Sequence, residues 1–225
     1  MWCVPKIDQV YISRMEALLR LQARPIDASQ PLVCLDERPV VLHADARSGQ
    51  PYGVGKIARR DYEYVRRGTA NIFCIVEPKK GRRLTYATKD RKAVAYAQAL
   101  RTISKKYPRA KTIHLVQDNL NTHCKKSLET AFGQRRGSAL WARFTVHYTP
   151  KHASWLNPAE TEASLVSREC LGKRRIPDLQ QLTREVEAWR RRADNVGRTI
   201  IWHFTVHKAR KTFRYSGLAT RRSRY

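Results

Sequence analysis

Residues 112–123 read TIHLVQDNLNTH, and this stretch decides the fold expected of the chain. Its apolar, β-branched beginning predicts a buried β-strand, and Asp118 stands directly after that strand. A second apolar run, PLVCL at residues 31–35, predicts another buried strand that ends at Asp36. Because reactive groups in α/β sheets tend to lie at strand ends, where loops project them, we expect the two aspartates at one edge of a sheet.

The remaining segments alternate between strand and helix patterns. Three further runs have strand character, the first two of them flanking a PKKGR turn as a hairpin, and they cover residues 70–76, 83–88 and 143–148. Helical apolar spacing predicts helices over residues 6–22, 90–107, 122–132 and 178–193, besides the helix that begins near Asn157 and the C-terminal helix described below. Residues 43–60, rich in Gly, Arg and Lys, are expected to form an exposed loop. This order predicts an α/β fold in which helices flank a mixed sheet.

Charge is the strongest bulk signal in the sequence. Its 225 residues include 45 Lys and Arg against 19 Asp and Glu, which gives a formal net charge of +26. Such an excess indicates a polyanionic partner, above all nucleic acid, although an inert basic surface or a ribosomal-type RNA binder has the same composition. The apolar content of 42% is enough for a folded core and excludes a broadly disordered chain.

The pattern of cysteines and the length of the apolar runs indicate the cellular location of the protein. The five cysteines are odd in number, widely spaced and without a CxxC pair, which argues against a disulfide scaffold and a structural zinc site. The N-terminus lacks the long apolar core of a signal peptide. No apolar run approaches the roughly 18 residues needed to span a membrane. These features predict a cytoplasmic protein without membrane contact.

Glu160 is the third acidic residue, in the phrase YTPKHASWLNPAE at residues 148–160. Asn157 is a good N-cap and Pro158 suits the first helical position, so Glu160 falls at the start of a predicted helix. Carboxylates fixed on two strands and a helix can hold two divalent ions about 3.5–4 Å apart, which phosphoryl transfer requires. Mg²⁺ suits such ligands because it prefers hard oxygen atoms.

Each of these acids also has a plainer interpretation. Asp36 could begin a turn after its strand, and Asp118 could form an Asx-type turn with Asn119. Glu160 could be a capping-box residue that accepts a hydrogen bond from the amide of Asn157. Taken together in a strongly basic chain, the three acids favour a shared site over three separate turns and caps.

Two neighbouring glutamates are rivals for the same role. Glu37 would point to the opposite side from Asp36 if the strand continues, which makes it the weaker ligand candidate. Glu162 lies two positions after Glu160, about 200° around a helix, so the two cannot face one site. Serines follow Glu160 on its own face, whereas apolar residues occupy another face, so we favour Glu160 as the ligand.

Basic, polar and aromatic residues around the acids are candidates for DNA contact. They are Lys56, Arg59, Arg60, Arg66, Arg67, Asn119, His123, Lys151, His152 and Trp155. The Lys and Arg side chains would bind phosphates and fix the register of DNA, unless they belong to a solvated loop. His123 could orient a phosphate or a ligand carboxylate, or only bond backbone at a helix start, and His152 is equally ambiguous. Trp155 could stack on a base or anchor its loop on the core.

The motifs LVCLDE, DNLNTH and TPKHASWLNPAE resemble the three signature blocks of DDE-type transposases. They are most similar to those of bacterial insertion-sequence transposases related to mariner elements, and DYEYVRRGTANIF and SRECLGKRRIPD extend the resemblance from about Trp2 to Phe213. The resemblance implies an RNase H-like fold with Asp36, Asp118 and Glu160 as catalytic metal ligands. It also implies two Mg²⁺ or Mn²⁺ ions, and DNA cleavage followed by strand transfer.

The same resemblance implies partners and a domain order. Double-stranded DNA of element ends and target is the expected substrate, with a homodimer on DNA and a bacterial, nucleoid-associated location. Relatives carry an N-terminal helix-turn-helix region that has no counterpart before Asp36. Three explanations are open: one frame of a split gene with a separate upstream helix-turn-helix polypeptide that reads the element ends, an excerpt of a longer protein, and a truncated remnant. The alternatives are an RNase H-like nuclease or resolvase that does not join strands, and a catalytically inactive basic DNA-binding remnant.

The expected division of the chain has three parts. An N-terminal helix and linker occupy residues 1–30, the RNase H-like catalytic domain occupies 31–204, and a basic C-terminal helix and tail occupy 205–225.

Overall fold

A computed structural model of the protein describes residues 7–47, 49 and 61–215. Within them, six strands form one mixed sheet: β1 (Leu32–Asp45), β2 (Tyr64–Glu77), β3 (Arg82–Arg83), β4 (Tyr86–Thr88), β5 (Ile113–Gln117) and β6 (Phe144–Tyr148). The strand order is β3-β2-β1-β5-β6, and β4 pairs with β2. Strand β1 runs antiparallel to β2 and parallel to β5, which is in turn parallel to β6. The predicted mixed α/β sheet is confirmed.

Helices cover both faces of this sheet and make three layers. They are α1 (Gln9–Ala23), α2 (Ala93–Lys106), α3 (Lys125–Phe132), α4 (Gln134–Trp141), α5 (Ala159–Leu165), α6 (Leu179–Val196) and α7 (Val206–Phe213). Helices α2, α3 and α4 pack on one face, and α1, α5, α6 and α7 pack on the other. Because both faces are covered, the central strands carry continuous apolar runs instead of an alternating pattern.

The side chains of β1 alternate between the two covered faces. Val33 and Leu35 belong to the core beneath α2 and α3, whereas Cys34 belongs to the core beneath α1. In a strand, residues two apart share a face. Asp36 therefore lies on the side of Cys34, towards α1 and α5, and Glu37 lies on the side of Leu35, towards α2 and α3. Two adjacent acidic residues therefore serve opposite sides of the sheet.

Strand β1 is longer than its apolar run predicts. The prediction that it ends at Asp36 is wrong, because β1 stays paired with β2 as far as Asp45 opposite Tyr64. Beyond Val41 most side chains of the two strands are exposed, although Leu42 of β1 is buried, so no continuous apolar run marks them. Part of the predicted loop at residues 43–60 is thus strand, and residues 48 and 50–60 lie outside the described residues.

Helix α4 has no counterpart among the predicted elements. Its sequence, QRRGSALW, is mostly polar and contains a glycine, so it lacks a helical apolar pattern. Gly137 lies so close to α3 that an added Cβ would stand 2.5 Å from the amide nitrogen of Glu129. The glycine therefore permits a close crossing of α3 and α4. Helix α3 itself begins at Lys125, three residues later than predicted.

Helices α1 and α7 lie together on the central sheet. Glu16 of α1 is fully buried and accepts hydrogen bonds from Arg210 of α7 at 2.8 Å and from Tyr215 at 3.3 Å. Both helices share one apolar core with Cys34 and Val116 of the sheet. The three-part division of the chain stays a prediction. In the part of the chain that the structure describes, no helix is long and apolar enough to cross a membrane.

Candidate active site

Asp36 and Asp118 lie on neighbouring parallel strands. Cys34 of β1 pairs with Val116 of β5, and the same register continued by two residues sets Asp36 level with Asp118. Strand β5 ends at Gln117, so Asp118 stands at its carboxyl end as predicted. Asp36 instead occupies an interior position of β1, because the hairpin with β2 carries that strand onward.

The charges around Asp36 indicate that the acidic residues converge. The pKa of Asp36 is raised to about 7, chiefly by burial and in smaller part by the negative charges of Glu160, Glu37 and Asp118, against a lowering hydrogen bond from the Glu37 amide at 2.8 Å. Carboxylates that repel one another in this way offer hard oxygen ligands and an unbalanced negative charge. Both properties fit a divalent cation such as Mg²⁺ or Mn²⁺.

Glu160 is exposed on the first turn of α5, which begins at Ala159, one residue later than the N-cap prediction required. Pro158 is the N-cap, although Oδ1 of Asn157 still accepts a hydrogen bond from the Ala159 amide at 3.1 Å. The amide of Asn157 donates to the carbonyl of Ser154, so the capping-box contact with Glu160 is not formed. The side chain of Glu160 is left to face solvent on the side of Asp36.

Asn157 also ties α5 to the strand of Asp36. Its Nδ2 donates a hydrogen bond of 2.8 Å to the carbonyl of Leu35, the residue directly before Asp36. The side chain is only 2% exposed, so both of its hydrogen bonds are sheltered from water. One buried amide thus joins the element that carries Glu160 to the element that carries Asp36.

Glu162 faces the protein interior, on the other side of α5. It forms a fully buried ion pair with Arg83, whose Nε lies 3.0 Å from Oε1 and 3.1 Å from Oε2. Thr85 donates a further hydrogen bond to Oε1 at 3.3 Å. Arg83 in addition donates to the carbonyls of Gly81 and Arg198. Glu162 therefore has a structural role, in agreement with the prediction from helix angles that Glu160 and not Glu162 faces the site.

His123 links Asp118 to Glu37 across the sheet edge. Its Nδ1 lies 2.7 Å from Oδ1 of Asp118, and its Nε2 lies 2.7 Å from Oε1 of Glu37. Burial lowers the pKa of His123, but the hydrogen bonds to Asp118 and Glu37 outweigh it and raise the pKa to about 9. The bond to His123 in turn lowers the pKa of Asp118.

Two of the plainer interpretations hold alongside this arrangement. Oδ1 of Asp118 accepts the amide of Leu120 at 3.3 Å, which is the Asx-type turn. Nδ1 of His123 lies 3.2 Å from the carbonyl of Asp118, which is the expected backbone contact at a helix start. Both residues therefore combine a local structural role with a place at the acidic site. Asn119 between them is exposed.

The other candidates for DNA contact are divided over the surface. Lys151 and His152 are exposed in the turn after β6, where His152 has a left-handed φ of 60°. Arg66 and Arg67 are exposed on the projecting part of β2. The remaining three lie outside the described residues: Lys56, Arg59 and Arg60.

Trp155 is half-buried against the C-terminal segment. Its ring contacts Phe204 edge-on at 5.3 Å and Phe213 at 6.4 Å between centroids. This packing is the loop-anchor arrangement, in which the indole holds the segment before α5 against the core.

Arg91 is a basic residue near the acids that the sequence interpretation missed. Its charge contributes to the lowered pKa of Asp118. It is exposed in the segment between β4 and α2, where the run TKDRK is rich in charge. Only that local excess of Lys and Arg could have suggested it, because no motif surrounds the residue.

A parallel strand pair carrying two aspartates, with a glutamate on a covering helix, fits the class of RNase H-like, metal-dependent phosphoryl-transfer enzymes. The chain belongs to the DDE superfamily endonuclease family, whose model matches residues 31–183. The predicted family is thereby confirmed. Among curated proteins, none matches the sequence.

Solved structures of the Mos1 mariner transposase share the fold. The Mos1 mariner paired end complex with Mn has 15% identity and a TM-score of 0.55, over 95% of this chain and 63% of that chain. A pre-cleavage Mos1 transpososome has 15% identity and a TM-score of 0.55, over 94% and 64%. The Mos1 Strand Transfer Complex has 14% identity and a TM-score of 0.52, over 88% and 61%. The chain thus spans under two thirds of those chains, and the likeness confirms the RNase H-like fold.

Proposed function

We propose that this chain is the catalytic domain of a DNA transposase, which cleaves phosphodiester bonds at element ends and joins the 3′-hydroxyls to target DNA. The observation that carries the proposal is the placement of Asp36 and Asp118 level with each other on neighbouring parallel strands, with Glu160 on the first turn of α5, near enough for its charge to contribute to the raised pKa of Asp36. The likeness to a Mos1 paired end complex and a Mos1 Strand Transfer Complex supports cleavage and joining as the reaction.

Asp36, Asp118 and Glu160 are the proposed ligands of two Mg²⁺ or Mn²⁺ ions. When bound, the ions would activate a water or 3′-hydroxyl and stabilise the leaving oxygen. The chain's own contribution is to hold the carboxylates: Asp36 through the strand hydrogen bonds of β1, and Asp118 through His123 and the Leu120 amide. Glu160 is held through its helix. Carboxylates that are fixed before the reaction require little rearrangement in it.

Nearby cations are the proposed phosphate contacts. Arg91 is exposed and near enough to Asp118 for its charge to lower the pKa of that residue, and Lys151 is exposed in the turn after β6, so both can pair with the DNA backbone. Such contacts fix the position of the scissile strand without reading its bases. The formal charge of +26 supports double-stranded DNA of the element ends and the target as the substrate.

The assembly around this domain is also proposed. A homodimer on DNA suits a reaction that joins two element ends to one target. A separate helix-turn-helix polypeptide would read the ends, and the location would be the cytoplasm, associated with the nucleoid. Each of these stays a prediction.

The test is a cleavage and joining assay on the inverted repeats that flank the chain's own gene. With Mg²⁺ or Mn²⁺ we expect nicked ends and joined products from the wild type. Asp118→Asn removes one anionic ligand of the proposed metal site and is expected to reduce both products on the order of a hundredfold, the loss typical for one group that stabilises transition-state charge. Lys105→Ala, at an exposed position on α2, is the matched surface control and should keep full activity.

The alternatives predict other products. Hydrolysis without joining would favour an RNase H-like nuclease or resolvase. DNA binding that is equal in wild type and Asp118→Asn, with no metal-dependent nicking by either, would indicate an inactive basic DNA-binding protein and overturn the proposal.

A further inference from the structure

We propose that Glu37 is a positioning residue for the metal ligand Asp118 and acts on it through His123. The inference rests on the proposed function, because it treats Asp118 as a ligand of the catalytic metal. It assigns to the second acid of the LVCLDE motif a role that is distinct from ligation, on the opposite face of the sheet from Asp36.

The geometry places one imidazole ring between two carboxylates. Nε2 of His123 donates to Oε1 of Glu37 at 2.7 Å, and Nδ1 donates to Oδ1 of Asp118 at 2.7 Å. The side chains of His123 and Glu37 are buried, at 0% and 2% exposure, whereas that of Asp118 is 43% exposed. The buried glutamate is therefore the fixed end of the chain of contacts, and the partly exposed aspartate is the end that it orients.

Surrounding side chains hold the ring in this orientation. Tyr96 stacks on the His123 ring with centroids 4.5 Å apart. Tyr148 donates its hydroxyl to the His123 carbonyl at 2.7 Å, and Gln117 donates to the same carbonyl at 3.4 Å. Gln117 is itself held by the Tyr96 hydroxyl at 2.9 Å. A ring that is stacked on one face and anchored through its backbone carbonyl transmits a displacement of Glu37 to Asp118.

The cluster is a support for a metal site and not a second metal site. Ligand atoms of Glu37, Asp118 and His123 lie within 4.8 Å of one another. However, the two ring nitrogens point in opposite directions, each towards a different carboxylate. One ion cannot take the place of both contacts, and the separations of 2.7 Å are those of charge-assisted hydrogen bonds.

The consequence for Asp118 concerns which of its oxygens is available. Oδ1 accepts from His123 and from the Leu120 amide, so Oδ2 is the oxygen left for a cation. Without the contact from Glu37, the ring could turn and Oδ1 would no longer be held. Partners of this kind typically alter metal affinity or activity about 10–100-fold when they are removed.

The experiment separates position from charge with two substitutions of one residue. Glu37→Asp keeps the negative charge but withdraws the carboxylate by one methylene, which breaks the contact with His123. Glu37→Gln removes the charge but keeps an oxygen at the same reach. The measured quantity is the Mn²⁺ dissociation constant of the whole protein, determined by calorimetry without DNA.

We expect Glu37→Asp to weaken Mn²⁺ binding roughly tenfold or more, and Glu37→Gln to remain within about threefold of the wild type. The matched control is Glu77→Asp, which shortens another buried, ion-paired glutamate, bonded to Lys80 and Tyr107. This control should lose similar stability in urea unfolding but keep wild-type Mn²⁺ affinity.

Wild-type Mn²⁺ affinity in Glu37→Asp overturns the inference, as does an equal loss of affinity in Glu77→Asp, which would mark a general effect of stability. The proposed function fails separately, when a protein that binds Mn²⁺ neither cleaves nor joins DNA. A wild type that binds no Mn²⁺ contradicts both.

Discussion

The acidic site has two walls that are held in different ways. The Asp118 wall consists of Asp118, His123 and Glu37. There the Asp118 carboxylate itself is held, because Nδ1 of His123 lies 2.7 Å from its Oδ1. The Glu160 wall consists of α5 with Glu160, Asn157 and Glu162. Among the described residues, no hydrogen bond or ion pair to the Glu160 carboxylate is found. The contacts of this wall instead hold helix α5, which carries Glu160.

This difference predicts which property a substitution in each wall should change. On the Asp118 wall, a change at one side chain reaches the ligand directly through an imidazole ring. On the Glu160 wall, the ligand moves only if α5 moves, and α5 is held by the Glu162–Arg83 ion pair and by Asn157. Substitutions in the first wall should therefore alter metal affinity, and substitutions in the second should first alter stability.

The largest expected effect is at Arg83. Arg83→Met leaves the fully buried Glu162 carboxylate without its cation, and breaking a buried ion pair in this way costs about 3–5 kcal/mol. Urea unfolding of wild type and variant measures the loss. The neighbouring Arg82→Met, at an exposed position of the same strand, is the matched control and should change the free energy of unfolding by no more than about 0.5 kcal/mol.

The double variant Arg83→Met with Glu162→Leu sharpens the interpretation. It removes both buried charges together and should recover much of the lost stability, because an apolar pair of similar volume can replace a buried ion pair. If the double variant is no more stable than Arg83→Met alone, the loss comes from the carbonyls of Gly81 and Arg198 and not from Glu162.

A smaller effect of opposite sign is expected at Asp36. Its pKa is about 7 in the folded protein, well above the ordinary value of 3.8 for an aspartate, so the folded state binds the proton more tightly. The free energy of unfolding therefore falls as the pH rises from about 4 to about 7, and the cost persists above that range. In EDTA at pH 8, Asp36→Asn should be about 2 kcal/mol more stable than the wild type, below the limit of about 4 kcal/mol set by the shift.

Thermal or urea unfolding at pH 4 and pH 8 checks this prediction. The gain should be small at pH 4, and Mn²⁺ should stabilise the wild type more than the variant. A variant that is less stable than the wild type at pH 8 in EDTA would show that the buried Asp36 carboxylate, with the acids around it, does not destabilise the folded state.

The smallest effect is expected at Asn157. Asn157→Ala removes the hydrogen bond to the Leu35 carbonyl and the cap of Ala159, which together should cost about 1–2 kcal/mol. Asn157→Ser keeps a capping oxygen but cannot reach Leu35, so its loss in urea unfolding should be about half as large. Equal losses in the two variants would assign the effect wholly to the bond with β1.

Much of the fold could be predicted from the sequence because its central strands are covered on both faces. The runs around Leu35 and Leu115 are apolar throughout, and helical spacing revealed α2 and α6. The choice of Glu160 over Glu162 rested on angles within one helix, which are local and agree with the observed burial.

Other features depend on contacts that no local pattern contains. The extension of β1 to Asp45 arises from pairing with β2, and the buried Val40 and Leu42 there are separated by exposed residues, so they form no continuous buried run. The contact of Glu37 with His123 joins residues 86 positions apart. The strand alternation predicts that Glu37 faces away from Asp36, but it does not predict that Glu37 contacts His123. Helix α4 was hidden because its interface with α3 is built around Gly137 and not an apolar stripe.

The parallel pairing of β1 with β5 has a consequence for how the protein folds. Strands β1 and β2 are consecutive along the chain and pair as a hairpin. Asp36 and Asp118 are 82 positions apart and come together only when β5 pairs with β1. Closing so long a loop is costly before its contacts form, so such pairings are slow. We expect the acids to come together late, and a cation to bind only the finished sheet. Mn²⁺ affinity is then a direct measure of whether the most distant strand pairing in the site has formed.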